Sequence, residues 1–303
     1  MRHTHTGIGV SVLLRNWTLP HSKNQPFATA ASDQLAYLLD VAPRAPNGAI
    51  SHRASQAQLW ADFVYMAPPF IAAYGALKGG SQGQHFLQVA YDQVRLYREV
   101  LYDSSAKLWR HIALGSGTDP THWGTGNAWA AAGALRVLAT IQRSHAAKAM
   151  KSQQGNLVNW VEEILDGAWR HQVCVVSVVL AALDKSCDTD LVRACVPVRA
   201  HEQQANGTLL NCLDNPKSFA DSSSTALLAA STFRFASITG NNKHIPAATH
   251  ALQLIRNSID SQGWLHNTVN PLTFSSPCSP GKHSPEGQSF VLLLEAAVAA
   301  WKS

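Results

Sequence analysis

Apolar residues recur every three or four positions along most of the chain, in segments of roughly 12–20 residues. Gly, Pro, Ser and Asn residues separate these segments, as they commonly do between helices. The pattern predicts eight helices, near residues 29–40, 58–78, 84–102, 125–146, 156–171, 222–239, 244–259 and 286–301. Because the alternation typical of strands is scarce, we predict an all-α fold built from antiparallel helix pairs with short turns.

Several of the predicted helices begin with a similar local sequence. Polar or Gly-rich turns lead into the first helical turn at Trp60-Ala61-Asp62, Trp123-Gly124-Thr125, Asp221-Ser222 and Ser284-Pro285. Asp and Ser are favoured N-cap residues, and Pro suits the first turn of a helix. Recurrent helix starts of this kind predict stacked helix hairpins that share one functional rim.

The N-terminal stretch, residues 1–28, is predicted to be irregular. Its apolar patch, Ile8–Leu14, is at the lower length limit of a secretory signal, and Arg15-Asn16-Trp17 follows where small residues would be expected. We therefore predict no signal peptide. The chain as written is expected to be cytoplasmic, or extracellular if it continues further upstream.

A second stretch, Val173–Ala200, differs in composition from the helices around it. It holds three of the five cysteines and a run of valines. Two interpretations stay open: a buried helical pair, or a peripheral insertion at residues 173–200, which we favour. The insertion would join a good helix ending at Trp169 to a turn near Asn206 and Gly207. The predicted catalytic domain spans residues 29–303 and contains this insertion.

Composition excludes several classes of protein. The chain has 303 residues, of which 46% are hydrophobic and 14% charged, whereas an average soluble domain is about 25% charged; this excludes a disordered chain. The net charge of +5 is spread without a basic run, so we expect no nucleic-acid partner, although a small anionic substrate would be favoured. The apolar stretches are shorter than the ~20 residues of a membrane span, and we expect no membrane partner.

The cysteines do not indicate a metal site or a disulfide framework. Their number is odd, and no Cys-x-x-Cys spacing occurs. Most of them are expected to be buried thiols. We predict no metal and no cofactor, and we expect a monomer.

The segment from Trp60 to Phe70 is the first candidate for chemistry. Asp62 lies among Trp60, Phe63 and Tyr65, and a carboxylate that aromatic rings desolvate has a raised pKa and can donate a proton. The alternative is that Asp62 only stabilises a helix start through the macrodipole. Pro68 and the proline after it are expected to kink or end the helix near Ala67.

The second candidate segment runs from Leu108 to Trp129 and combines charged, polar and aromatic residues. Aromatic faces stack on sugar rings, while Asn, His and Arg bind hydroxyl and carboxylate groups. Alternatively, these residues are core tryptophans and loop histidines. The candidates are His111, Asp119, His122, Trp123, Asn127 and Trp129. Two further segments, Phe219–Ala226 and His283–Gln288, are interpreted mainly as structural helix starts.

Four segments in register resemble one enzyme family. They are LWADFVYMAPPF, LWRHIALGSGTDPTHWGTGNAWAAAGALRVLATI, NGTLLNCLDNPKSFADSSSTALLAASTFR and HSPEGQSFVLLLEAA. They resemble the fungal branch of glycoside hydrolase family 105, the unsaturated rhamnogalacturonyl hydrolase-like six-hairpin glycosidases, which are relatives of the family 88 unsaturated glucuronyl hydrolases. The resemblance covers about residues 34–167 and 203–301.

The resemblance implies an (α/α)6 toroid of helical hairpins, incomplete at the N-terminus in this chain. It also implies release of a terminal unsaturated uronic acid from pectin- or glycosaminoglycan-type oligosaccharides. In that reaction a carboxylic acid protonates carbon 4 of a vinyl ether and water adds at carbon 5, so the spacing rule for paired glycosidase carboxylates does not apply.

The resemblance assigns the site residues unevenly. Asp62 occupies a functional position of the W-x-D-x-x-Y/F-M motif, whereas the family's second aspartate is missing after His111, and Asp119 is the nearest candidate. Asp62 and Asp119 are therefore the expected catalytic residues. The expected substrate-binding residues are Trp60, Tyr65, His111, His122, Trp123, Asn127 and Trp129.

Two other functions compete with a hydrolase. A degenerate, non-catalytic carbohydrate-binding toroid would explain the altered second aspartate motif. A structural helical-repeat protein would bind no sugar and would not gather Asp62, Asp119 and Trp123 at one mouth.

Overall fold

The computed structural model describes residues 21–172 and 207–303. The predicted insertion at residues 173–200 lies outside the described residues, as do residues 1–20 of the N-terminal stretch.

Helices dominate these ranges, so the all-α prediction is confirmed. They are α1 (His21–Ala36), α2 (Phe63–Met66), α3 (Pro68–Lys78), α4 (Gly80–Leu101), α5 (Gly124–Arg143), α6 (Lys151–Trp169), α7 (Ser222–Thr239), α8 (Ile245–Asn257) and α9 (Pro285–Lys302), with a π-helical turn at Tyr37–Val41. The short strands are β1 (Leu59–Trp60), β2 (Tyr102–Asp103), β3 (Leu108–Trp109) and β4 (Ile112–Ala113). They form two antiparallel pairs, β1 with β4 and β2 with β3. No described helix combines the length and apolar character that crossing a bilayer requires.

Helix α1 departs from the sequence-based prediction at its start. It begins at His21, inside the stretch 1–28 that was predicted to be irregular. The residues before Thr29 are mostly polar and include Pro26, which lacks a backbone N–H. Because helical periodicity is read from apolar spacing, this segment carried no helical signal.

The predicted helix 58–78 is divided, and the expected break at Ala67 is confirmed. Strand β1 occupies its beginning, α2 ends at Met66, and Pro68 starts α3 as its first residue. A proline nitrogen cannot donate to the carbonyl four residues earlier, so one continuous helix cannot pass this point. Because of this break, the short helix α2 begins directly after Asp62 in the chain.

The helices form an inner and an outer layer. The inner helices α2 and α3 pack on α5, which packs on α7, and α7 packs on α9. Helices α5 and α7 are buried on nearly all sides and are rich in Ala, Gly, Ser and Thr, as expected of helices enclosed by others. The outer helices α4, α6 and α8 each pack against the inner helix that precedes them.

The starts of the inner helices lie at one end of the molecule. Thr125 of α5 donates to the carboxylate of Asp221 before α7, at 3.2 Å. A Cβ at Gly124 would lie 2.9 Å from Ser224 Oγ, and one at Gly287 would lie 3.0 Å from Ser223 Oγ, so glycine permits both close approaches. This end, with its polar helix starts, carries the candidate site.

Candidate active site

A buried histidine lies between two aspartates at the mouth of the inner layer. His111 Nδ1 is 2.9 Å from Asp119 Oδ2, and His111 Nε2 is 3.5 Å from Asp62 Oδ2. The His111 side chain is 0% exposed, against 14% for Asp62 and 18% for Asp119. The contact with Asp119 is a hydrogen bond. The contact with Asp62 is an ion pair whose distance is longer than that of a typical hydrogen bond. The structure thus brings both predicted catalytic aspartates onto one imidazole.

Backbone pairing fixes this arrangement. Strand β1 pairs with β4 in the register Trp60 with Ile112, and Ala61 N–H donates to the His111 carbonyl at 2.9 Å. Ile112 and Asp119 exchange two backbone hydrogen bonds of 2.8 and 3.0 Å across a tight turn. The turn needs left-handed backbone at Leu114, Gly115 and Gly117, and the glycines supply it readily. Short antiparallel backbone pairings therefore position Asp62, His111 and Asp119.

The charge state of the cluster differs from the sequence-based expectation. Burial alone would raise the pKa of Asp62, but the imidazole of His111 outweighs it and holds that pKa below its usual value. Asp119 is affected in the same way: burial opposes ionisation, and His111 and Thr121 lower its pKa. Burial would lower the pKa of His111, yet the two carboxylates raise it. The predicted rise at Asp62 is thus wrong, because its ionic partner was not visible in the sequence.

Aromatic rings surround the histidine. The ring centroids of Trp60, Trp123 and Phe274 lie 5.3, 4.4 and 4.6 Å from that of His111. Asn211 joins two of these rings, since its Oδ1 accepts from Trp123 Nε1 at 2.9 Å and its Nδ2 donates to the Phe274 carbonyl at 3.0 Å. Sequence reasoning missed Phe274 and Asn211. They stand far along the chain from the aspartates, and no local motif marks them.

His122 forms a neighbouring polar cluster. Its Nδ1 is 2.6 Å from Asp214, and its Nε2 is 3.8 Å from Asp103, which pairs with Arg110 at 2.8 Å. The Ser105 hydroxyl, together with nearby backbone donors and Arg110, lowers the pKa of Asp103 to about 2 despite some desolvation. His122 therefore has anionic partners of its own, and sequence reasoning missed both carboxylates.

Asn127 has a task other than the predicted sugar contact. It is fully buried; its Oδ1 accepts from Trp109 N at 2.8 Å, and its Nδ2 donates to the carbonyls of Trp109 and Trp123 at 2.9 and 3.0 Å. All of its polar side-chain atoms thus bind backbone, which corrects the prediction: Asn127 joins strand β3 to the start of α5.

Tyr65 and Trp129 form an aromatic pair further along the inner helices. Their ring centroids are 4.4 Å apart. Arg136 lies 4.2 Å above the Tyr65 ring, and Phe290 of α9 lies 4.8 Å from Trp129. Among the predicted binding residues, Trp60, His111 and Trp123 surround the aspartates, whereas Tyr65 and Trp129 pack mainly on other helices.

Two acidic residues at helix starts complete the rim. Asp221 is fully buried and caps α7, accepting from Ser223 N and Ser224 N at 2.9 and 3.1 Å. Glu286, in the first turn of α9, is half-buried; desolvation, with the nearby carboxylates of Asp62 and Asp221, raises its pKa to about 7. Within residues 21–172 and 207–303, no three His, Cys, Asp or Glu side chains are arranged to hold a metal ion.

Solved structures of similar fold confirm the predicted (α/α)6 toroid. A possible member of glycoside hydrolase family 105 from Salmonella enterica has a TM-score of 0.74 and 17% identity, over 98% of this chain and 72% of that one. An unsaturated glucuronyl hydrolase from Bacillus sp. GL1, responsible for degrading glycosaminoglycan, has a TM-score of 0.62 and 15% identity, over 97% and 74%. A D-mannose isomerase matches with a TM-score of 0.59 and 12% identity, over 99% and 72%, so the fold alone does not define the reaction.

Sequence comparison identifies the family. No curated protein matches the chain. The family model of glycosyl hydrolase family 88 matches residues 6–173. That range covers more than half of the chain and includes Asp62, His111 and Asp119. The chain therefore belongs to glycosyl hydrolase family 88.

Proposed function

We propose that this protein removes a terminal unsaturated uronic acid from pectin- or glycosaminoglycan-type oligosaccharides, and that it is most similar to the fungal members of family 105, a family related to family 88. The observation that carries the proposal is the Asp62–His111–Asp119 cluster inside a wall of aromatic rings. Such a site offers two carboxylates around an imidazole in a desolvated pocket, next to faces on which a sugar ring can stack. The structural likeness to a protein named as an unsaturated glucuronyl hydrolase also supports it.

The proposed reaction adds water across the double bond between carbons 4 and 5. A proton is delivered to carbon 4, positive charge develops at carbon 5 and the ring oxygen, and water adds at carbon 5. The resulting hemiketal opens and releases the neighbouring sugar. Protonation by a positioned carboxyl group and removal of the water proton by a carboxylate are ordinary general acid–base steps.

The geometry suggests different roles for the two aspartates. Asp119 uses its carboxylate to bind His111 Nδ1 and the Thr121 N–H, so it orients the imidazole. Asp62 Oδ2 has no hydrogen-bond partner among the described residues and lies 3.5 Å from His111 Nε2. Because His111 keeps Asp62 ionised, Asp62 suits the base that takes a proton from the attacking water.

Substrate binding would use stacking and positive charge. Trp60, Trp123 and Phe274 provide ring faces around His111. The guanidinium of Arg53 lies 4.8 Å from the Trp60 ring centroid, and the imidazole of His111, whose pKa the two carboxylates raise, lies 5.3 Å from that ring. These charges would attract the carboxylate of the uronate.

The test uses an unsaturated disaccharide and follows loss of the ultraviolet absorbance of its conjugated double bond. We expect turnover by the wild type, a loss of about 10²–10⁴-fold in kcat in Asp62→Asn, and no cleavage of the saturated disaccharide. Asp92→Asn, on the surface of α4, is the control and should retain full activity. Binding without turnover would instead indicate the non-catalytic carbohydrate-binding toroid, and neither binding nor turnover would reject both functions.

A further inference from the structure

Two of the rings around His111 come from distant parts of the chain and are joined by one side chain. Trp123 directly precedes α5, whereas Phe274 lies in the loop of residues 270–276, the Phe274 loop. The two ring centroids are 5.8 Å apart, and each ring also packs on the His111 imidazole. A sugar ring that stacks in this pocket therefore depends on how two separate segments are held relative to each other.

The Phe274 loop is folded on itself and has few attachments to the rest of the protein. The Phe274 N–H donates to the Asn270 carbonyl at 2.9 Å, and Leu272 near the middle of the loop is 91% exposed. Among the hydrogen bonds of the described residues, a single one joins residues 270–276 to another segment: Asn211 Nδ2 donates to the Phe274 carbonyl at 3.0 Å. Apart from its ring contacts, the loop thus relies on Asn211.

The backbone of Phe274 needs such an attachment. Its φ is +46°, in the left-handed region that bulky side chains rarely adopt. A residue persists in this conformation only where its surroundings over-determine it, and such residues cluster at sites that clamp a ligand. The contacts of the Phe274 ring with Trp60, His111 and Trp123, together with the bond from Asn211, supply that constraint.

Asn211 can hold both rings because its own position is fixed. It is 6% exposed, its N–H donates to the Phe219 carbonyl at 2.8 Å, and its carbonyl accepts from the Gly124 N–H at 2.7 Å. Its Oδ1 accepts from Trp123 Nε1 at 2.9 Å. An indole N–H can only donate and a carbonyl can only accept, so the two partners also fix the orientation of the amide. One side chain thus sets the position of both rings.

We propose that Asn211 is a positioning residue that holds Trp123 and Phe274 as adjoining walls of the pocket for the unsaturated uronate ring, an assignment that rests on the proposed function. Asn211 acts through these rings and does not touch the reacting atoms. The aspartate–histidine cluster is placed by the pairing of β1 with β4 and by the turn that follows, without Asn211. Loss of Asn211 should therefore weaken sugar binding more than the chemical step.

The first test measures KM and kcat of Asn211→Ala with the unsaturated disaccharide. We expect KM to rise about 3–10-fold, the range of one aromatic stacking contact, while kcat changes by less than about 3-fold. Asn156→Ala is the matched control, because it also removes a hydrogen bond between an Asn side chain and an aromatic residue, Tyr91, but on the outer helices. It should leave both constants unchanged. A fall in kcat at constant KM in Asn211→Ala would overturn the proposal.

A double-mutant cycle shows whether Asn211 acts through the two rings. Asn211→Ala should raise KM less in a Phe274→Ala background than in the wild type, because only the share transmitted through Trp123 is left. Trp123→Phe keeps a ring but removes the N–H donor, and it measures that share. Effects of Asn211→Ala that are fully additive with both of the other substitutions would overturn the proposal.

A further test needs no turnover. Asn211→Ala should release the Phe274 loop, so chymotrypsin, which cleaves after large apolar residues, should cut after Leu272 or Phe274 faster than in the wild type or in Asn156→Ala. Unchanged cleavage would show that Asn211 does not hold the loop and would overturn the proposal. If Asn211→Ala is unfolded by circular dichroism, Trp123→Phe and Phe274→Ala take its place in the KM comparison, and an unchanged KM in both contradicts the proposal.

The outcomes separate the positioning role from the proposed function. If the wild type turns over the disaccharide and Asn211→Ala has the wild-type KM, only the positioning role is wrong. If the wild type releases no uronate, the proposed function fails, and the calorimetric affinity for the saturated disaccharide tests the pocket itself. A loss of about 3–10-fold in that affinity in Asn211→Ala would support the role of Asn211. Equal affinities, or no binding by the wild type, would overturn it.

Discussion

Asn127 and His111 are fully buried polar residues of one sequence segment, and their surroundings give them different tasks. The amide of Asn127 binds backbone at every polar atom. His111 binds Asp119 with one nitrogen and faces Asp62 with the other at 3.5 Å. A buried group that is fully bonded to backbone stabilises the fold, whereas one that faces an open carboxylate can take part in chemistry.

Replacing Asn127 tests the structural role. Asn127→Ala would leave the N–H and carbonyl of Trp109 unpaired in the core, and we expect a loss of about 2–3 kcal/mol in the free energy of unfolding, from denaturant titration. Thr140→Ala changes only a helix-internal hydrogen bond on the same helix and should stay within about 0.5 kcal/mol. Unchanged stability in Asn127→Ala would reject the backbone role and return Asn127 to the candidate ligand contacts.

At the scale of elements, close helix contacts position Asp62. A Cβ at Gly133 of α5 would lie 2.3 Å from the Val64 carbonyl oxygen of α2. Val64 is four residues before Pro68, so this carbonyl receives no helical hydrogen bond from the proline. The glycine thus lets α5 approach the short helix that follows Asp62.

Two helical glycines should respond to alanine in opposite directions. Gly133→Ala forces α2 away from α5, and we expect a loss of about 1–3 kcal/mol in the free energy of unfolding, together with lower kcat. Gly155 of α6 is exposed, and a Cβ there meets nothing within 4 Å. Gly155→Ala should therefore gain about 0.5–1 kcal/mol. Chemical denaturation of both variants measures the contrast, and a neutral Gly133→Ala would contradict the close packing.

At the scale of the whole molecule, folding gathers ionisable groups that are distant in sequence. Asp62, His111, Asp221 and Glu286 come from four parts of the chain and meet at one mouth. The pKa values of Asp62, His111 and Glu286 are shifted in the folded state, so the stability of the fold depends on pH. The raised pKa of Glu286 means that the folded state binds more protons than the unfolded state between about pH 4.5 and pH 7.

This linkage gives a stability prediction. The contribution of Glu286 is fully present below pH 4.5 and is lost as the pH rises through about 7. Glu286→Gln carries no such proton, so its free energy of unfolding should fall less than that of the wild type between pH 5 and pH 8. We expect a difference of about 2 kcal/mol, after a reduction for partial exposure. Parallel pH dependence in the two proteins would show that Glu286 titrates normally.

Much of the fold and part of the site follow from local sequence. The eight predicted helical regions, the break at Ala67 and the candidate residues Asp62, His111 and Trp123 came from apolar spacing, proline chemistry and short motifs. These signals act within a few residues, which is the range over which backbone hydrogen bonds and helical periodicity operate. The sequence by itself therefore determined most of the helices and identified Asp62, His111 and Trp123 as candidate site residues.

Only the tertiary structure decided which groups meet. Phe274 covers His111 from more than a hundred residues away, Asp214 pairs with His122, and Glu286 stands near Asp62. Asn127 lies inside the predicted site segment, yet its side chain binds backbone groups. The charge state of Asp62 depends on a histidine that reaches it through the pairing of β1 with β4. Burial and electrostatic fields depend on distance in space and not on distance along the chain, so no local pattern could assign these roles.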